Sequence, residues 1–406
     1  MEQVLYQLPE SWEWRQLGEV CSKVTDGSHN PPKAIESGLP MLSSRNVMDN
    51  GLFWENFRLI PEDAFEKEHR RTRITEGDVL LTIVGTIGRS CVIRNLERLF
   101  TLQRSVAVLS PDQLISEFLC YQLKAPFIQE YFSNNAKGSA QKGIYLNQLK
   151  STYLVCPPLT EQKRIVKKLD ALLSRIDSAI THLQDSISQI GCFVQVVIDT
   201  KFSAISSRET IESLAEVKGG KRLPKGEKLR DEITDYPYIR VADFTDQGTI
   251  DLSNIKYISR EVHEQIKRYV ISKDDLYISI AGTIGKTGFV PPELDGANLT
   301  ENAAKLVIKN KDELDLNYLY LFTLTSDFAA QAGLATKIVA QPKLALTRLA
   351  KIEVPICSIE EQKEIVFTIQ ALKIKLYQTE KVLFSKIEEL TLLKASILDG
   401  AFKGEL

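Results

Sequence analysis

Two glycine-bracketed turns, Val84-Gly85-Thr86-Ile87-Gly88-Arg89 and Ala281-Gly282-Thr283-Ile284-Gly285-Lys286, are where this chain comes nearest to nucleotide chemistry. The second, followed by Thr287, ends like a phosphate-cradling loop. Such a loop needs a glycine five residues before its second glycine, and position 280 is isoleucine. The first copy has Arg89-Ser90 in place of Lys-Thr. The paired glycines suit a tight turn between strands, either as a plain hairpin or as a mount that lifts Arg89 and Lys286 out of a close-packed loop. Asn30-Pro31-Pro32-Lys33 is near the tetrapeptide with which amino-methyltransferases grip a target amine, but its fourth residue lacks the aromatic ring that stacks on a flipped base. No glycine-rich strand-loop fit for S-adenosylmethionine precedes it. Glu161-x-Lys163 and Glu361-x-Lys363 match the tail of a nuclease carboxylate-lysine motif, yet each opens a helical pattern without an upstream aspartate strand. No Ser/His/Asp set stands out, so no catalytic residue is expected. The six cysteines form no CxxC pair and the four histidines no ligand cluster, which points to reduced, mostly buried thiols and no metal.

Two of these motifs, the glycine turn and Glu-Gln-Lys, are carried by both halves of the chain. Leu17-Gly18-Glu19-Val20 matches Leu214-Ala215-Glu216-Val217 and Asp78 matches Asp275, an offset of 197 (275 minus 78). From Ala140-Gln141 against Ala340-Gln341 to Phe202 against Phe402, the offset is 200 (402 minus 202). Two copies are too few for a solenoid, so two similar domains doing one job at two places are expected.

Within each copy a mixed front precedes a helical back. Val79-Leu80-Leu81-Thr82-Ile83-Val84, Ser105-Val106-Ala107-Val108-Leu109 and Leu276-Tyr277-Ile278-Ser279-Ile280 read as strands, and Ile115 to Leu123 and Leu316 to Leu324 as short helices. After Cys156-Pro157-Pro158, Thr160 is placed to cap a helix with Glu161 in its first turn. Ile165, Leu169, Leu172, Ile176, Ala179, Leu183, Ile187, Ile190, Val194 and Val197 then follow at spacings of three and four. Ile365, Ile369, Leu372, Leu376, Thr379, Leu383, Ile387, Leu390, Lys394 and Ile397 repeat them. A stripe of this period predicts coiled-coil rods of ~60 Å at 1.5 Å per residue. The expected fold class is α+β: two similar α/β domains in tandem, each followed by a long α-helix. The two helices pair as an antiparallel coiled coil that holds two heads apart, with pairing to another chain as the alternative. The boundaries read as 1–156 and 204–355 for the domains, and 157–203 and 356–406 for the helices.

At 406 residues and 43% hydrophobic the chain has ample material for two cores. No apolar run reaches the ~18 residues of a membrane span and no secretory leader is evident, so a cytoplasmic protein without a membrane partner is expected. The net charge of −2 leaves any nucleic-acid contact to local patches. Candidates are Arg70-Arg71-Thr72-Arg73, recurring as Lys267-Arg268, and Lys218, Lys221, Arg222, Lys225, Lys228 and Arg230. Lys137-Gly138-Ser139-Ala140-Gln141-Lys142-Gly143 corresponds to Lys337-Ile338-Val339-Ala340-Gln341-Pro342-Lys343. Ser43-Ser44-Arg45-Asn46 matches Arg240-Val241-Ala242-Asp243 in place but not in chemistry. Similar scaffolds with divergent tips suit a protein that reads two different half-sites. Phosphate contacts are assigned to Arg70, Arg71, Arg73, Arg89, Lys221, Arg222, Lys267, Arg268 and Lys286, and base edges to Ser44, Arg45, Gln141, Lys142, Arg240 and Gln341. A coiled-coil adaptor whose heads bind proteins is the rival reading, and a nuclease or NTPase in its own right a second.

The chain resembles the specificity subunit of Type I restriction-modification systems. The likeness rests on Leu8-Pro9-Glu10-Ser11-Trp12-Glu13-Trp14 with Leu17-Gly18, both GTIG turns, Gln141-Lys142-Gly143, the run Pro157-Pro158-Leu159-Thr160-Glu161-Gln162-Lys163-Arg164-Ile165-Val166, and the closing Ala401-Phe402-Lys403-Gly404-Glu405-Leu406. It covers essentially the whole chain. It implies two target-recognition domains, each reading one half of an asymmetric, interrupted double-stranded DNA sequence, with the paired helices fixing the gap. It also implies docking of two modification (methyltransferase) subunits, which bind S-adenosylmethionine and methylate adenines, and of restriction (translocase/nuclease) subunits that cleave unmodified DNA. This chain would bind no cofactor itself. The sequence departs from its own repeat where Pro355-Ile356-Cys357-Ser358 replaces the Pro-Pro of the first copy and Lys394 replaces Val194.

Overall fold

A computed structural model describes residues 3, 5–138, 141–334 and 343–406. The chain divides into two compact units. The first comprises Met1–Leu183 with Phe384–Leu406, the second Gln184–Leu383. Each unit thus takes one globular head, half of its own helix and half of the other.

In the first unit, the strand Val79–Thr82 lies between Val106–Pro111 and Ser90–Val92, and Cys21–Asp26 closes the other edge of this antiparallel sheet. The continuous apolar run of Val79-Leu80-Leu81 has a physical cause: both faces of the sheet are covered. Val79, Leu81, Ile83, Ala107 and Leu109 point into one core against the helix Ser116–Lys124, while Leu80, Val106 and Val108 point into another with Leu42, Phe100 and Leu102. The second face is capped by a smaller sheet of Arg58–Ile60, Leu39–Leu42 and Thr101–Leu102, the last two parallel. Glu13–Gln16 and Tyr153–Cys156 form a separate antiparallel ribbon.

The second unit repeats this plan. Ala215–Gly219, Ala303–Ile308, Leu276–Ser279 and Thr287–Phe289 form the main sheet, with Leu276, Ile278 and Ile280 on one face and Tyr277 on the other. Its smaller sheet adds an edge strand, Val270–Ile271, to Lys256–Tyr257, Pro237–Ile239 and Ala297–Leu299. Each short helix expected from the sequence is followed by a second that the periodicity did not separate, Pro126–Asn135 and Ser326–Leu334. In the first unit Ala125 is extended because it precedes a proline, and Pro126 then opens the next helix. In the second, Thr325 makes the break by accepting a hydrogen bond from the Phe328 amide at 3.0 Å.

The long helices run Leu159–Ser203 and Ile359–Lys403, 45 residues each. In the first unit Ile165, Leu169, Leu173 and Ile176 pack with Leu398, Ala401 and Phe402. Asp177 pairs with Lys394 at 2.6 Å and Arg164 donates to the Leu406 carbonyl at 2.7 Å, so the helices are antiparallel. In the second unit Ile198 and Phe202 share a core with Val366 and Ile369. Leu173 and Ile198, not Leu172 and Val197, carry the deepest burial, because the heads pack beside the seam and widen the stripe. Thr160 is not the cap. The helix begins one residue earlier, with the Glu161 and Gln162 amides donating to the Pro158 carbonyl at 2.9 and 3.0 Å. At the matching place in the second copy Ser358 and Glu361 form a reciprocal capping box, which explains the missing second proline. All six cysteines are free thiols. Cys21, Cys91 and Cys120 are buried, and burial pushes Cys91 up to about 12. Cys192 is exposed.

The Glu-Gln-Lys repeat has a structural purpose located in its glutamine. Gln162, 2% exposed, accepts from the Ile115 amide at 2.8 Å and donates to the Pro157 and Gln113 carbonyls at 2.9 and 3.2 Å. Gln362 makes the same three bonds to Asp315, Cys357 and Glu313. Each glutamine clasps its long helix to the loop that enters the short helix. Gln162→Ala is expected to cost about 2–3 kcal/mol by stranding these buried groups, read as a lowered denaturant midpoint at unchanged slope. Wild-type stability would remove the clasp from the account.

Candidate nucleic-acid interface

Both GTIG turns are hairpins whose two glycines need left-handed backbone: φ is 82° and 95° at Gly85 and Gly88, and 77° and 86° at Gly282 and Gly285. The Gly88 amide donates to the Thr82 carbonyl and the Gly285 amide to that of Ser279, each at 2.9 Å. The turn does not stand alone. In the first unit the Ile83 amide donates to Ser105 and the Ile144 amide to Ile83, at 2.9 and 2.8 Å, and the Gly85 amide donates to Lys142 at 3.2 Å. The Ser44 amide reaches Ser105 Oγ at 3.0 Å, the Gln103 amide the Leu42 carbonyl at 2.8 Å, and the Arg104 amide the Ser28 carbonyl at 2.9 Å. Five chain segments, around Ser28, Ser44, Gly85, Arg104 and Lys142, therefore form one hydrogen-bonded loop face.

The second unit builds the same frame. The amides of Ile280 and Ala281 donate to Asn302, Thr300 to Ile239, Lys221 to Leu299 and Leu344 to Ile280, at 2.8 to 3.2 Å. Its tips differ chemically. Arg45, Gln141, Lys142 and Arg104 are exposed in the first unit and hold no ion pair among the described residues. In the second, Arg222 pairs with Glu301 at 2.6 Å and Lys286 with Asp246 at 2.8 Å, while Lys221 lies 5.5 Å from the centre of the Tyr269 ring. The Glu301 carboxyl is partly desolvated, which raises its pKa, but the Arg222 guanidinium holds it below the usual carboxylate range.

Not every expected residue stands free on this face. Arg240 grips the nearly buried Asp243 with two nitrogens, at 3.1 and 2.6 Å, and also donates to the Asn254 carbonyl at 2.9 Å. Asp243 and its counterpart Asn46 each accept the amide three residues before them, so Arg240 braces the turn and Ala242 occupies the place of Arg45. Arg71 reaches the buried Asp26 at 2.5 Å, beside the Ser28 loop, and Arg73 ends its helix in the left-handed conformation. Arg70 pairs with Glu66 at 3.5 Å, and Lys267 with Glu264 at 2.8 Å, next to the exposed Arg268. Arg89 is half-buried, with a guanidinium nitrogen 3.5 Å from Met48 Sδ. Gln341 lies outside the described residues. Sequence reasoning missed Gln103-Arg104-Ser105 and Thr300-Glu301-Asn302, which belong to no motif. Their signal was the 197-residue offset joining them. A cleft of about 1300 Å³ in the first unit, bordered by Asp49, Trp54, Arg98, Tyr121 and His182, includes none of the loop-face residues.

Two like heads, each presenting a polar loop face on one repeated backbone frame, make this a tandem two-domain protein. The chain belongs to the family of the Type I restriction modification DNA specificity domain, whose model matches twice, over residues 9–189 and 208–389. It is 28% identical over 300 residues to the Type I restriction enzyme EcoBI specificity subunit of Escherichia coli, a match spanning 67% of this chain and 62% of that relative. With the StySPI specificity subunit of Salmonella potsdam it shares 22% identity over 98% of this chain and 90% of the relative. A chain from a structural study of complex assembly in the type I R-M system superposes with a TM-score of 0.76 over 99% of this chain and all of that one, at 19% identity. The crystal structure of the HsdS subunit from Thermoanaerobacter tengcongensis gives 0.58 over the full length of both chains, at 20%. The tandem α/β domains and the long helix after the first are thus those of the family. The adaptor alternative finds no support. No helix among the described residues is long and apolar enough to cross a membrane.

Proposed function

We propose that the two heads, 1–156 and 204–355, each read one half of an interrupted, asymmetric duplex sequence, and that the long helices, 157–203 and 356–406, dock the enzymes that act on it. The reading is supported above all by the duplicated loop face, one backbone frame carried twice with different side chains at its tips. Partner modification subunits, two per complex, supply S-adenosylmethionine binding and adenine methylation, and restriction subunits supply cleavage. Within this division of labour Ser44, Arg45, Gln141, Lys142 and Gln341 meet base edges. Arg70, Arg71, Arg73, Arg89, Lys221, Arg222, Lys267, Arg268 and Lys286 meet phosphates, with Arg70, Arg71, Arg222, Lys267 and Lys286 doing so from within ion pairs, and Arg240 approaches the duplex while held by Asp243.

The test is to express the chain with its modification subunit in a methylation-free host and map N6-methyladenine. A single two-part motif that disappears without this chain supports the reading. Methylation that is unchanged without it, in a folded co-purifying complex, overturns it. Gln141→Ala is expected to relax one half-site only, by about tenfold at one position, whereas Arg70→Ala weakens all duplexes alike and lowers the salt slope by about one. Equal loss on every duplex with Gln141→Ala would remove its base-reading role.

A further inference from the structure

Gln103-Arg104-Ser105 is the hub of the first loop face. Its backbone and the Ser105 hydroxyl bond to the Ser28 loop, to the end of Leu39–Leu42, to the Ser44 turn and to the strand entering the Gly85 turn. A side chain on this tripeptide is held from four directions at the backbone while its tip stays in solvent. Arg104 is that side chain, exposed and without an acid or carbonyl on its guanidinium among the described residues.

Thr300-Glu301-Asn302 occupies the same node of the second unit, 197 residues on (301 minus 104): the Thr300 amide donates to Ile239 as the Gln103 amide does to Leu42, and the Asn302 carbonyl accepts the Ile280 amide as that of Ser105 accepts the Ile83 amide. Its middle side chain has the opposite charge. Glu301 accepts from Arg222 Nε at 2.6 Å, and Lys343 Nζ donates to the Glu301 carbonyl at 3.3 Å. One head thus presents a free fork of donors where the other presents an acceptor. A guanidinium matches the two acceptors on a guanine edge, and a carboxylate matches the amino group of cytosine.

We propose that Arg104 and Glu301 are specificity-determining residues at equivalent nodes, Arg104 reading a G·C pair from its guanine edge in one half-site and Glu301 reading a G·C pair from its cytosine edge in the other. This rests on the two-headed DNA reading above. Arg222 is the positioning residue of the pair: its Nε holds one Glu301 carboxylate oxygen while the Thr300 hydroxyl donates to the other at 3.1 Å, which orients the carboxylate and leaves each oxygen one further lone pair for a base.

The experiment uses the complex with the modification subunit, mapping N6-methyladenine for the wild-type chain and for Arg104→Gln, Arg104→Lys and Glu301→Gln. Binding is then measured on the mapped duplex and its single-pair variants. Arg104→Gln is expected to relax one G·C position in one half-site by about tenfold or more, Glu301→Gln one G·C position in the other, with the remaining positions unchanged. Arg104→Lys keeps the charge but loses the planar fork, so it should relax the same position while leaving the salt slope intact. Failure of the wild-type chain to give any two-part motif overturns the functional reading itself. A two-part motif lacking G·C in either half, or one that all three variants leave unchanged, overturns only this inference. So does Arg104→Gln weakening every duplex equally while Arg104→Lys behaves as wild type, which would make Arg104 a phosphate contact. Co-purification and an unchanged melting temperature show that the variants are folded.

Discussion

Phe402→Ala is expected to destabilise the first unit by about 3–5 kcal/mol while leaving the second unit near its native stability. Phe402 lies at the far end of the chain from the head it completes. It is fully buried, its ring meets Phe118 edge-on at 5.3 Å and lies 6.4 Å from Phe127, and its carbonyl accepts the Tyr6 hydroxyl at 3.0 Å. Truncation leaves a cavity among groups that the sheet, the short helices and the N-terminal segment all hold in place, so little collapse can offset it. The mirror substitution, Phe202→Ala, empties the matching site beside Tyr318 and Phe322, at 4.8 and 5.9 Å, and loads the loss onto the second unit. Hydrogen exchange reads the two cases separately. With Phe402→Ala the amides of Val106–Pro111 lose protection while those of Ala303–Ile308 keep it, and with Phe202→Ala the pattern reverses. Equal loss in both sheets would mean that the helix ends do not belong to separate cores.

Gly27→Ala is expected to cost about 3 kcal/mol or more and to erase recognition of one half-site. A Cβ at this position would stand 2.1 Å from the Leu102 carbonyl oxygen and 2.5 Å from that of Gln103. Both are main-chain atoms, one in the hub and one immediately before it, so no flexible side chain can swing aside, and relief requires moving the segment that carries Arg104. Gly220 meets the second hub in the same way, with a Cβ 2.1 Å from the Thr300 oxygen and 2.3 Å from that of Leu299. The requirement at both glycines is space, since neither has positive φ. Denaturant unfolding reads the loss of stability, and methylation mapping reads the loss of one half of the motif with the other intact. Substitution at either glycine that leaves both halves intact would show that the hub does not set the reading face.

The hubs and their glycines were the part of the site that the linear sequence concealed. Gly27 and Gly220 are 193 apart (220 minus 27), not 197, because the loops before the smaller sheet differ in length, and their neighbours Asp26 and Gly219 are unlike. Arg104 has no motif around it. Its importance comes from a hydrogen bond to Ser28 and from the bonds of its neighbours to Leu42, Ser44 and Ile83, partners gathered from segments far apart in the chain. The basic residues were visible, but their acids were not always. Asp26 beside Arg71 and Glu301 beside Arg222 come from distant segments, whereas the spacing of Arg240 and Asp243 by three was readable as a local pair.

Sequence by itself determined the duplication, the strand runs, the left-handed glycine turns and the two long helices, because each depends on interactions within a few residues or on a period repeated many times. It also carried the family resemblance that the two domain matches bear out. Tertiary structure decided which cations stay free, which glutamine and glycines hold the frame, and which tripeptide stands at its centre. Those properties depend on pairwise distances between segments far apart in the chain, and only packed sheets and closed hydrogen bonds set such distances.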